Sequence, residues 1–272
     1  MPRHNVPKIV VPRAFEREAT ALAELKLNNG YDSDPALNCE DAIKDVVHRI
    51  RRSNTYPLAP PLCRHAQCFR ESPKQTIWLN PNDPCGDLRC ALGTLELRLK
   101  WLKAYQAEFR GGFAVHIVND AWNTLTRDLD ATRVQEIRSQ LIECLETGPT
   151  TYPYLGCIEL SIDDIDRPDA HYSPHGHFLM ECMSDEKVNQ WRAVAINDLK
   201  CPNPVTNTIR VERIRDVVGA LAYATKNRTK LRTPGRFGPK APKLQDQHIW
   251  DTTVSQFHRS LMTIEPSNRN TY

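Results

Sequence analysis

No stretch of this sequence approaches the roughly 18 to 20 consecutive apolar residues that a membrane-spanning helix needs, and the opening MPRHNVPKIV has no apolar core of the kind a secretory signal carries. Both absences lead to the expectation of a cytoplasmic protein with no membrane partner. A Gly-x4-Gly-Lys-Ser/Thr segment is also missing, so the chain carries no P-loop helicase or primase motor of its own. There is no internal repeat and no low-complexity tract beyond proline-rich joints at 57–61 and 234–242, which excludes solenoids and propellers. Acidic residues are absent from 217 to 245, where Lys226, Arg228, Lys230, Arg232, Arg236, Lys240 and Lys243 follow one another. That strip has the electrostatics of a phosphate-binding surface, or of a solvated basic tail.

What is present is enough for a real core. The 272 residues are 40% hydrophobic, which suits one large domain or two modest ones folding without disulfides. In a reducing compartment the nine cysteines are metal ligands or buried thiols. Four of them group as Cys63, Cys68, Cys85 and Cys90, spaced C-x4-C-x16-C-x4-C, with His65 inside the first pair. Paired thiolates in a stretch with little hydrophobic patterning can hold a tetrahedral structural zinc ion; the alternative is a set of reduced, partly buried thiols.

Periodicity divides the chain into three parts. Residues 1–57 carry apolar positions at helical spacing amid abundant charge and are expected to be a helical N-terminal region. Residues 58–91 are irregular and cysteine-rich. Residues 92–272 are expected to form the main domain, with a basic C-terminal segment. Leu92, Leu95, Leu99, Leu102 and Tyr105 predict an amphipathic helix. After it the patterns GFAVHIV, YLGCIELSI, HGHFLMEC and TIRVERI predict strands, and ATRVQEIRSQLIECLE, DEKVNQWRAVAINDL and RDVVGALAYATK predict helices. The connection DDIDRPDAHYSP suits a long hairpin loop. The order β-α-β-β-α-β-α implies an α+β fold with a central antiparallel sheet and flanking helices.

The chemistry concentrates in two places. Side chains on a strand alternate faces, so His175 and His177 share one face and Gly176 takes the other. Two imidazoles with a carboxylate from a neighbouring strand, Glu159, make three legs of an open divalent-cation site able to polarise a phosphoryl oxygen. A metallo-β-lactamase-type enzyme would place Asp two residues after the second histidine, but Leu179 stands there. Further on, Tyr223 and Lys226 fall at i and i+3, so a phenol and an ammonium share a helical face at the mouth of the basic strip.

In this order FAVHIV, the Glu-bearing YLGCIELSI, SPHGHFLMEC and AYATK resemble the rolling-circle replication initiators (Rep proteins) of the HUH endonuclease superfamily, over roughly residues 110 to 230. Glycine at 176 departs from the apolar residue that family prefers. The resemblance implies that His175, His177 and Glu159 bind Mg²⁺ or Mn²⁺, that Tyr223 is the nucleophile and that Lys226 orients the scissile phosphate or steadies charge on the phenolate. Arg228, Lys230 and Arg232 would contact DNA. Only one tyrosine lies in the helix, which implies a single-tyrosine enzyme that nicks single-stranded origin DNA, with a host helicase and polymerase as partners. A transposase or mobilisation relaxase would use the same residues. A non-catalytic, zinc-stabilised DNA-binding protein is the alternative outside the superfamily.

Overall fold

A computed structural model describes residues 7–25, 42–44, 47, 63–71, 76–86, 90–109, 111–125, 128–148, 152–163, 171–181, 184–199, 208–225, 230–232 and 263–264. The chain divides into two compact units, Met1–Glu108 with Asp216–Asn227, and Phe109–Arg215 with Arg228–Tyr272.

The first unit is mostly helical. Strand β1 (Ile9–Val10) pairs in parallel with β2 (Ile77–Trp78), and helices α1 (Glu16–Glu24), α2 (Arg64–Glu71), α3 (Ala91–Glu108) and α6 (Val217–Ala224) surround them in sequence. The expected amphipathic helix is α3, but it is not amphipathic over its first half: Leu92, Leu95 and Leu99 are buried, and so are Glu96 and Arg98 between them. A helix enclosed on every side needs partners for its polar residues, and Glu96 and Arg98 both have them. Helices α1 and α6 pack against α3. The start of α6 is capped by Asp216, whose side chain accepts from the Gly219 N–H at 3.1 Å, and Thr225 caps its end.

The second unit is a sheet accompanied by two helices. Strands β3 (Phe113–Val118), β5 (Tyr154–Asp163), β6 (His171–Met180), β7 (Ile209–Arg213) and β8 (Lys230–Arg232) run in the order β7-β3-β6-β5-β8. The first four are antiparallel to their neighbours and β8 lies parallel to β5. Short strands β4 (Thr124–Leu125) and β9 (Thr263–Ile264) pair with β6 and β5. Helices α4 (Ala131–Leu145) and α5 (Asp185–Asp198) begin at Asp130 and Ser184, whose side chains accept from the N–H groups of Arg133 and Lys187. The α+β class and the antiparallel core of the sheet agree with the sequence pattern.

The β5–β6 hairpin differs from the expectation. Pairing continues out to Asp163 opposite His171, so much of the expected loop is ladder. Pro174 sits within β6, between the end of its pairing with β3 at His175 and the start of its pairing with β4 at Tyr172. A missing N–H at that gap breaks no ladder on that side, which is why a proline is tolerated in an inner strand.

The two faces of the sheet have different jobs. Phe113, Val115, Ile117, Tyr154, Ile158, Phe178, Met180 and Ile209 are buried and alternate with the polar set on their strands. Helix α4 packs on this apolar face: a side chain added at Gly176 would meet Leu141 of α4 at 3.0 Å and would collide with the Phe178 ring. Gly156, paired with Phe178, is equally closed by that ring. Glycine at 176 is thus required by packing. No helix among the described residues is long and apolar enough to cross a membrane.

Candidate functional site

The opposite face of the second unit's sheet carries the histidines. Register fixes them: His175 stands opposite Glu159, and His177 stands between Cys157 of β5 and His116 of β3. Arg210 of β7 continues the row beyond His116. Two antiparallel neighbours therefore bring Glu159 and His116 to one patch with His175 and His177 from sequence positions far apart.

The Glu159 carboxylate lies between the two expected ligands, with Oε2 at 2.7 Å from Nε2 of His177 and 3.4 Å from Nε2 of His175. All three residues are buried, at 6%, 7% and 4% exposure for Glu159, His175 and His177, so the carboxylate is held where its charge must be met by a proton or a cation. The Nδ1 of His175 lies 2.9 Å from the Ser173 carbonyl, to which it can only donate. That bond commits Nδ1–H, so in the neutral ring Nε2 carries the lone pair and can give it to a cation shared with Glu159.

His116 is the site residue the sequence reading missed. It brings a ring nitrogen within 4.8 Å of those of His175 and His177, close enough on distance alone to make a three-imidazole set. Orientation assigns it another role. Its ring is stacked on His177, centroids 4.4 Å apart and planes 4° from parallel, whereas His175 stands at 77° to His177. An imidazole lone pair lies in the ring plane, so one ion cannot lie in both planes of a stacked pair, whereas the near-perpendicular rings of His175 and His177 can converge on a single point. As placed, the His116 ring packs against the face of His177. The signal was in FAVHIV, where His116 interrupts an otherwise apolar strand, but nothing local tells which strand it faces.

Tyr223 sits in the last turn of α6 in the first unit, with 38% of its surface exposed. The helix ends at Ala224 with Thr225 as its cap, and Lys226 and Arg228, the first of them expected on the face of Tyr223, lie outside the described residues. Lys230 and Arg232 fall on β8. The end of α6 is gripped by the fully buried Arg98 of α3, whose Nε donates to Thr225 Oγ1 at 2.7 Å and whose Nη2 donates to the carbonyls of Ala222 at 3.0 Å and Thr225 at 3.3 Å. A cation at a helix C-terminus satisfies carbonyls that the helix itself leaves unbonded.

A second cluster lies within the first unit. Cys63, His65, Cys85 and Cys90 bring their ligand atoms within 4.8 Å of one another, a set that could bind a metal ion such as zinc. Cys68, expected as one of four thiolates, is outside it: it is exposed on α2, while His65, three residues earlier on the same helix, is buried and turned inward. His65 completes a set of four with Cys63, Cys85 and Cys90, which leaves no tetrahedral position for Cys68. The thiols resist ionisation as they stand. The hydrogen bond with Cys85, aided by burial, pushes Cys63 up to about 12, and burial with the neighbouring thiols raises Cys90 well above its ordinary value. Burial opposes a charge on His65, yet Cys85 and Glu96 outweigh it and carry that imidazole to about 9.

Compared with protein families, with curated proteins and with solved structures, the chain matches none.

Proposed function

We propose that this protein nicks and rejoins single-stranded DNA at a replication origin through a 5′-phosphotyrosine, as the rolling-circle initiators of the HUH superfamily do. The observation that carries the reading is the Glu159 carboxylate, 2.7 Å and 3.4 Å from the Nε2 atoms of His177 and His175 on the polar face of an antiparallel sheet. The donor set fits a divalent cation: two imidazole nitrogens and one carboxylate oxygen converge, buried, with one imidazole already locked in the ligating tautomer. Two nitrogens among three ligands favour Mn²⁺ over Mg²⁺, which prefers oxygen.

When bound, such a cation polarises a phosphodiester oxygen and draws charge off the phosphorus. His175, His177 and Glu159 hold it, and the Ser173 carbonyl and the His116 ring keep the two imidazoles aimed. Tyr223 supplies the nucleophile: its phenol oxygen bonds to phosphorus, the P–O3′ bond breaks, and the released 3′ oxygen gains a proton as the phenol loses one. The 5′ end stays on the tyrosine. Reversal by an incoming 3′ hydroxyl rejoins the strand, so no external energy source is needed.

Incubation of the full chain with labelled single-stranded DNA and Mn²⁺ tests this. A covalent adduct is expected with the native protein, and none with Tyr223→Phe or with His175→Ala/His177→Ala. An adduct undiminished in Tyr223→Phe would move the nucleophile elsewhere. DNA binding with no adduct from any protein, native included, would leave a binding protein without catalysis.

A further inference from the structure

We propose that Cys63, His65, Cys85 and Cys90 hold a single structural zinc ion, that Glu96 is the outer residue that aims His65 at it, and that the ion secures the helix on which α6 is seated. The zinc site stands apart from the nicking chemistry. Only its consequence for Tyr223 rests on that reading.

Ligand spacing is the first support. With Zn–S near 2.3 Å and Zn–N near 2.0 Å, a tetrahedral site separates a sulfur from a nitrogen ligand by about 3.5 Å. His65 Nδ1 lies 3.2 Å from Cys90 Sγ, and all four ligand atoms fall within 4.8 Å of one another. The set is closed: four protein ligands leave no position for water, which marks a structural rather than a catalytic ion. Cys85 and Cys90 are 5% and 2% exposed and His65 is 4% exposed, while Cys63 is half-buried, so solvent reaches the cluster only on the Cys63 side.

Backbone donors face two of the sulfurs and would favour them as thiolates once an ion offsets the burial that keeps them protonated. The Gly93 N–H points at Cys90 Sγ at 3.2 Å and the Ala66 N–H at Cys63 Sγ at 3.4 Å, both at the first turn of the helix that follows the cysteine. Backbone donors there stabilise a sulfur that carries charge, as do the helix N-termini themselves.

Glu96 supplies the outer layer. It is fully buried, and Oε1 lies 3.1 Å from His65 Nε2 while accepting the Asn80 N–H at 2.7 Å. Oε2 accepts the Cys85 N–H at 2.8 Å and Arg64 Nη2 at 3.0 Å. With Nε2–H committed to a carboxylate, Nδ1, the atom that faces the thiols, is the nitrogen whose proton an ion displaces and whose lone pair binds it. One carboxylate thus fixes a ligand's tautomer and ties down the chain beside a second ligand, Cys85. The charge of Glu96 is met by Arg64, which also bonds Asp83 Oδ2 at 3.1 Å.

The ion's place in the chain gives it a mechanical task. It clips α2 and the 76–86 segment onto the start of α3, and two residues beyond Glu96 on that helix Arg98 holds the end of α6, which bears Tyr223.

The test begins with metal content. The full chain, purified without chelator, is expected to carry about one equivalent of zinc; its cobalt-substituted form is expected to give thiolate-to-cobalt charge transfer and the intense visible bands of tetrahedral coordination. Cys68→Ser should keep both, and so should His175→Ala/His177→Ala, which separates this site from the nicking site. His65→Ala and Cys90→Ser should lose zinc, and Glu96→Gln should weaken it 10- to 100-fold. Because the ligand variants could fail to fold, Cys68→Ser and the native cobalt spectrum decide the matter. Absence of zinc from the native chain, a six-coordinate cobalt spectrum, or zinc loss in Cys68→Ser would overturn the site. Removing zinc by chelation and returning Mn²⁺ alone should lower adduct formation at Tyr223 until zinc is restored; an undiminished adduct would overturn the mechanical role while leaving the site.

Discussion

His116 lies flat on His177, the ring centroids 4.4 Å apart and the planes 4° from parallel, although 60 residues of chain separate them. Pairing of β3 with β6 sets these two residues directly opposite each other. The stacked geometry makes His116 a support for a ligand and not a ligand itself. His116→Phe, which can stack but offers no nitrogen, is therefore expected to keep metal affinity within a few-fold, whereas His116→Ala should weaken it about 10-fold or more. Calorimetric titration of both variants with Mn²⁺ checks this; equal losses in the two would make His116 a ligand.

Gly176 yields a prediction about stability. The Phe178 ring and Leu141 occupy the space a side chain would need on the apolar face. Gly176→Val, which restores an apolar residue between the histidines, should destabilise the protein by about 1–3 kcal/mol through overpacking. Thermal unfolding of this variant beside the native chain measures it.

Arg98 is expected to matter to Tyr223 through the end of α6. Arg98→Met keeps most of the volume but removes the donors to Thr225 Oγ1 and to the Ala222 and Thr225 carbonyls. Buried acceptors left without donors cost about 1–3 kcal/mol, which should appear in unfolding by denaturant. Adduct formation should slow at saturating Mn²⁺ with the Mn²⁺ affinity unchanged, because the ligands lie in the other unit. A matching loss of Mn²⁺ affinity would contradict a role confined to α6.

Cys144 predicts an alkaline limit on stability. Burial, with the Asp198 carboxylate adding to it, pushes this thiol up to about 12 from an ordinary value of 9.0. Between those values the folded protein keeps the proton and the unfolded chain releases it, so stability contributed by the neutral thiol is complete below pH 9 and declines as pH rises above it. Cys144→Val should reduce this decline, read from melting temperatures across the alkaline range. The same burial should leave Cys144 unreactive toward alkylating reagents in the folded protein at pH 8.

Much of this was legible in the sequence because it is local. Strand alternation places His175 and His177 on one face whatever surrounds them, and the helical and strand periodicities of residues 113–224 anticipate their elements and order. The α3 pattern misled because a leucine repeat looks the same on a half-exposed helix and on one enclosed on all sides; only the partners of Glu96 and Arg98 separate the two. The hairpin extends further than the Asp and Pro content of its connection suggests, because Pro174 falls at a gap between the neighbours of its strand.

By itself the sequence determined which residues could carry chemistry and which face of its own strand or helix each one takes, since both follow from residue type and a period of two or 3.6. Register and clustering were decided only by the tertiary structure: His116 against His177, Glu159 against His175, and His65 in the place expected of Cys68. Those choices depend on how distant segments pack and satisfy one another's buried polar groups, and no short window of sequence contains that information.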